Sequence, residues 1–266
     1  MYAKFHTTGL TASLFIIVCL LSLFSAPMPI SAHELWVQQS GYKDGIVRAN
    51  IGYGHEFPKP ESIPADRLHI FTPLKLVTPA GTLEMDQKGE NYAFEKKIAL
   101  KKGSYMVLAF YKPTFWSNGD AGWAQADRIQ RPDASYVEEA VMYGKTIVNV
   151  DGATDTDLIS KPTGMDLEIV PLANPATIRP GNVFPMQVFL NGKPAHFVQV
   201  EATFDRFAAK DYIAFSGLTD GYGHIDFIPL EAGYWIVRVK DTAEYPDKKK
   251  ADERVLASSL TFTITQ

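Results

Sequence analysis

Five histidines lie beyond residue 32, at His33, His55, His69, His196 and His224, and the one cysteine of the chain, Cys19, lies before it. A transition-metal site in that stretch must therefore use imidazole, carboxylate or a free amine in place of thiolate. His33 follows the small residues of "ISA". If the chain is cut after Ala32, His33 becomes residue one and offers two nitrogens, its α-amine and its ring Nδ1, closing a six-membered chelate. That amine has an ordinary pKa of about 7.7–8.0, so a metal displaces only a loosely held proton. One further imidazole completes a T of three nitrogens, which suits Cu(II) or Ni(II) in tetragonal geometry. Uncut, His33 is an ordinary histidine at the start of a strand.

His55 is the expected partner. It sits in "GYGHEFPKPE", with Gly52 and Gly54 around Tyr53 and prolines close behind. The runs "ELWVQQSGY" and "DGIVRANIGY" read as two strands joined by a short turn at "KDG". That hairpin carries residues 54–58 back to the start of the first strand, where His33 and His55 can meet. Glu34 and Glu56 each follow a candidate ligand and would add an oxygen donor or orient an imidazole from behind. His69, in the strand-like "RLHIF", is a weaker candidate facing away from Leu68 and Ile70. Asp120 is a weaker oxygen donor from the aromatic-rich stretch 111–133. That stretch reads as a long loop, and its Phe115, Trp116 and Trp123 either stack on a ligand or close one end of a core. His224, after a glycine turn, and His196 rank below these.

The first 32 residues have the organisation of an export signal. Lys4 is the only charge before the apolar run "LTASLFIIVCLLSLF", and "APMPISA" then breaks helix and ends in small residues. The run is shorter than the about 20 apolar residues a spanning helix needs. Cleavage after Ala32 is expected, leaving a soluble chain of residues 33–266 with a periplasmic address and no membrane span. Cys19 leaves with the signal, so disulfides are excluded and core packing must hold the chain together. Losing Lys4 moves the net charge from −4 to −5. No basic stripe favours nucleic acid, and no polybasic segment favours an anionic membrane.

The remaining pattern is mainly β. Short runs rich in β-branched and aromatic residues, divided by Gly, Pro, Asn and Asp, predict antiparallel sandwiches. One exception is "DASYVEEAVMYGKTIV", whose Asp133, early glutamates and near-helical spacing predict a helix over 134–145. The polar stretch 151–164 marks a boundary. The expected organisation is a signal over 1–32, a β-rich domain over 33–160 that carries the metal candidates and one helix, and a second sandwich over 165–266. The second unit has the hairpin turn "NGKP" and is immunoglobulin- or transthyretin-like. Its "TDGYGHIDFIPLEAGYWIVRV" is similar to the end of carboxypeptidase-regulatory-type modules.

Signatures of serine hydrolases, zinc peptidases, phosphate loops and dinucleotide folds are missing, so the residues do not point to a hydrolase or a nucleotide enzyme. The succession "AHELWV", "GYGHEFPKPESIPADRLHIFTPL", "KGENYAF", "KGSYMVLAFYKPTFWS" and "GYWIVRV" resembles, over nearly all of residues 33–265, an exported family of unknown function often described as the periplasmic component of cobalt/nickel ABC-type uptake systems. The resemblance implies a non-enzymatic protein that binds Ni(II) or Co(II) through His33 and His55 and works with the membrane components of a transporter. Two other readings stay open. An N-terminal histidine with a second imidazole is also the copper arrangement of polysaccharide monooxygenases, and a metal-free structural β-sandwich protein is the third.

Overall fold

The computed structural model describes residues 33–89, 92–207 and 213–266. The expected signal segment lies outside them. Residues 31–266 make one compact unit, and no helix among the described residues is long and apolar enough to cross a membrane.

Strands β1 (Glu34–Lys43) and β2 (Ile46–Gly54) form the expected hairpin. Its turn holds Asp44 at φ 54° and Gly45 at φ 73°, the two left-handed residues that a tight two-residue hairpin turn requires. A 3-10 turn at Ala65–Ile70 leads to β3 (Lys75–Thr78), β4 (Gly81–Glu84), β5 (Asp86–Gln87) and β6 (Ala93–Lys97). Next come β7 (Gly103–Gly119), the short β8 (Gly122–Ala124) and β9 (Tyr136–Val150). The second half supplies β10 (Leu167–Pro171), β11 (Phe184–Leu190), β12 (Lys193–Pro194), β13 (Gln199–Phe204), β14 (Phe215–Leu218), β15 (His224–Phe227), β16 (Gly233–Glu244) and β17 (Glu253–Ile264).

A nine-stranded sheet runs in the order β14-β13-β16-β17-β9-β7-β3-β4, with β8 on the end of β7. A four-stranded sheet has the order β1-β2-β6-β5, and another is built on β11, which pairs β10, β12 and β15. Successive side chains of a strand point to opposite faces, and β9 shows where the small sheets lie. Its Ala140, Met142, Val148 and Val150 enter the core shared with Leu35, Val37 and Ile51 of the first small sheet. Its Val141 and Tyr143 enter the core shared with Ile169, Phe184 and Val188 of the second. The two small sheets therefore cover opposite faces of the large one. β1 is pinned to the large sheet by the Ser259 and Thr261 hydroxyls, which donate to the Leu35 and Val37 carbonyls at 2.6 and 2.7 Å.

The structure confirms the mainly β fold and corrects three local expectations. Residues 134–145 are not a helix. Tyr136 opens the long strand β9, which lies antiparallel to β7 and parallel to β17. A strand covered on both faces has a near-continuous apolar run and loses the alternation that would identify it. His69 is in the 3-10 turn, not in a strand. Stretch 111–133 is a loop only after residue 124, because β7 continues to Gly119 and turns into β8, with a register shift between Tyr111 and Thr114 around Pro113. Proline has no N–H to give the ladder, which accounts for the shift there. Finally, 151–164 has no strand, as expected, but the large sheet crosses from one half of the chain to the other through β9 and β17. The buried Lys145–Glu168 ion pair joins the halves again between β9 and β10.

Candidate functional site

The hairpin register sets Glu34 opposite Gly54, so His33, one residue before β1, and His55, one residue after β2, stand side by side. Their ring centroids are 3.9 Å apart. Tyr53 stacks under His33 at 4.6 Å and 8° between planes. Phe71 meets Tyr53 and Tyr111 edge-on, continuing the aromatic floor into the core.

The chain after His55 curls back through Pro58 and Pro60 until the Glu61 N–H donates to the Tyr53 carbonyl at 2.8 Å. This fixes the Glu61 carboxylate across both imidazoles. Its Oε1 is 2.6 Å from His55 Nδ1 and accepts from the His55 N–H at 3.0 Å, while Oε2 is 3.2 Å from His33 Nε2. Two glycines make room. A Cβ on Gly52 would lie 2.0 Å from Trp36 Nε1, and one on Gly54, whose φ is +152°, would lie 3.0 Å from Glu61 Cγ.

One ligand atom from each of His33, His55 and Glu61 lies within 4.8 Å of the other two, and this is the one such group of three or more among the described residues. Two donors on one ion at about 2.0–2.1 Å each are about 3–4 Å apart, so an ion would replace the 2.6 Å contact of His55 with Glu61, that pair opening slightly as the wider pairs close. Nitrogen with carboxylate oxygen is a borderline donor set, suited to Co, Ni, Cu or Zn over Ca or Mg. Burial, with the neighbouring His55, lowers the His33 pKa below 6.5, although Glu61 pulls the other way. The neutral ring is the form that binds a metal. Glu61 is held down to about 2, chiefly by its hydrogen bond from the His55 ring, so it is an anion at neutral pH.

The other candidates lie elsewhere. Glu34 forms an ion pair with Arg238, which also reaches Glu201 at 3.5 Å. Glu56 pairs with Lys59 at 2.9 Å. His69 is exposed, with its Nε2 3.3 Å from the Gln125 amide nitrogen. Asp120 is in the turn between β7 and β8. His224 lies 3.9 Å from Asp220, and His196 is exposed in a turn. Glu61 is the residue that sequence reasoning missed. Its signal was a carboxylate leaving a loop that two prolines force to turn.

No curated protein matches the chain in sequence. A solved structure described as the D0-D1 domain of intimin is similar at 13% identity over 87% of this chain and 98% of that one, with a TM-score of 0.21. The profile of the family described as domain of unknown function DUF4198 matches residues 30–243, and the chain belongs to that family.

Proposed function

We propose that the protein is an exported, non-enzymatic carrier of one divalent transition-metal ion, Ni(II) or Co(II), held by His33, His55 and Glu61 and passed to the membrane components of an uptake transporter. The supporting observation is the convergence of two imidazoles and a carboxylate, from three separate points of the chain, within 4.8 Å. The side chains of His33, His55 and Glu61 retain 27%, 33% and 48% of their exposure, which suits an ion that must be released. Cutting after Ala32 would add the His33 amine as a fourth donor. The amine chelates together with Nδ1, whereas Nε2 faces Glu61 in the uncut chain, so the His33 ring turns over when the amine takes part.

Native mass spectrometry of residues 33–266 titrated with Ni(II), Co(II) and Cu(II) tests this reading. It predicts one bound ion, and about 10- to 100-fold weaker binding or worse in His55→Ala and Glu61→Gln, since even residues behind a ligand contribute that much. Equal binding in those variants, or none in the wild type, overturns it. The same donors rank copper above nickel and cobalt. Copper-dependent, peroxide-driven oxidation of a polysaccharide would replace carriage with redox catalysis.

A further inference from the structure

The register shift in β7 leaves Lys112 and Pro113 bulged beside the 3-10 turn, and a cleft of about 400 Å³ opens there. It shares no residue with the His33–His55–Glu61 cluster. Its volume falls in the range of small-molecule sites, and both its polar lining and its floor are specific in character.

Its polar lining offers a cation and neutral donors, with no carboxylate to oppose them. Lys112 brings an ammonium. The Gln125 amide nitrogen lies 3.3 Å from His69 Nε2. With Nε2 engaged by that amide, Nδ1 is the His69 ring nitrogen left for a ligand, a second polar group. Gln130 uses its amide oxygen to accept from the Asp127 N–H at 3.1 Å, which leaves its NH2 group as a third. No Asp or Glu lines the cleft. The nearby Asp127 turns its carboxylate back to accept from the Gln130 N–H at 2.9 Å. Ile70, Pro113 and Phe115 supply apolar surface between these donors.

We infer that this cleft binds a small organic carboxylate, with Lys112, His69 and Gln130 donating to the carboxylate oxygens and its carbon skeleton lying against Phe115 and Pro113. A cation with neutral donors and no opposing carboxylate favours an anion, and the apolar surface favours an organic anion over a bare inorganic one. This inference does not rest on the metal reading.

The test is a titration of metal-free protein with succinate, benzoate and inorganic phosphate, followed by amide NMR shifts. The expected result is saturable shifts at Lys112, Thr114, Gln125 and Gln130 with a carboxylate, at least tenfold weaker with phosphate. Lys112→Met and His69→Ala are each expected to weaken carboxylate binding about tenfold, equivalent to about 1.4 kcal/mol. Both side chains are exposed, so the fold survives their loss, and far-UV circular dichroism and amide spectra that match the wild type away from the cleft show that it has. The inference is overturned if neither carboxylate shifts these residues, if both variants bind as the wild type does, or if phosphate binds as tightly as the carboxylates.

Discussion

His33 and Glu61 give the site its acid sensitivity. The folded-state pKa of His33 is below its ordinary 6.5, so the unfolded chain takes up that proton first and stability falls as the pH drops below about 6.5. The fall from this group ends once the pH passes below its folded-state value. Glu61 moves from 4.5 to about 2. Between those values the unfolded chain again holds more protons, so a second loss follows as the pH drops through that window. Glu61 is half-exposed, so its step is small. Urea midpoints measured against pH are expected to fall through both windows in the wild type, with a shallower fall in the lower window for Glu61→Gln, since Glu168 and Asp220 are also held below their ordinary values and keep part of it. The meeting of His33 and His55 was legible in the sequence because a hairpin turn returns the chain to its start. The carboxylate was not. Glu34 and Glu56 are neighbours of the histidines in sequence, but adjacent residues in a strand face opposite ways, and Glu34 accordingly points to Arg238. Glu61 arrives by a proline-directed loop, which leaves no periodic trace.

Among the elements, the β1–β2 hairpin and the loop closing at Glu61 depend on the two glycines. Gly54→Ala combines a left-handed φ with contacts of 3.0 and 3.1 Å to Glu61. It is expected to cost about 1–3 kcal/mol of strain and to weaken metal binding by displacing the carboxylate. Gly52→Ala drives a methyl to 2.0 Å from the Trp36 indole, so it is expected to lower stability by at least the about 1–3 kcal/mol of an overpacked core. Denaturant titrations of both variants check these values, and a wild-type midpoint in either would contradict the geometry. The G-x-G-H pattern was visible in the sequence, but its reason was not, since Trp36 and Glu61 come from outside the motif. β9 was hidden for another reason. Its early glutamates resemble a helix start, yet Glu139 pairs with Arg254 of β17 and Glu138 accepts from the Tyr136 hydroxyl.

Across the whole molecule, the large sheet makes the two halves interdependent. The composition of 151–164 suggested a boundary, and two cores do lie on either side of the large sheet. The parallel pairing of β9 with β17 is between residues far apart in sequence and has no local signature. A fragment ending at residue 160 would expose the β9 edge and lose the Ser259 and Thr261 bonds to β1, so it is expected not to fold, as circular dichroism and gel filtration would show. Residues 33–266 are expected to unfold in one calorimetric transition. Lys145→Ala would leave Glu168 buried without its cation, costing about 3–5 kcal/mol and lowering the temperature of that single transition. Two separate transitions would mean independent halves.

The most direct measurement is anomalous diffraction at the nickel edge from crystals of residues 33–266 grown with Ni(II). The predicted result is one strong peak about 2.0–2.2 Å from nitrogens of His33 and His55 and from a Glu61 oxygen. A peak at His69 or His224 alone, or none at the cluster, would contradict the account.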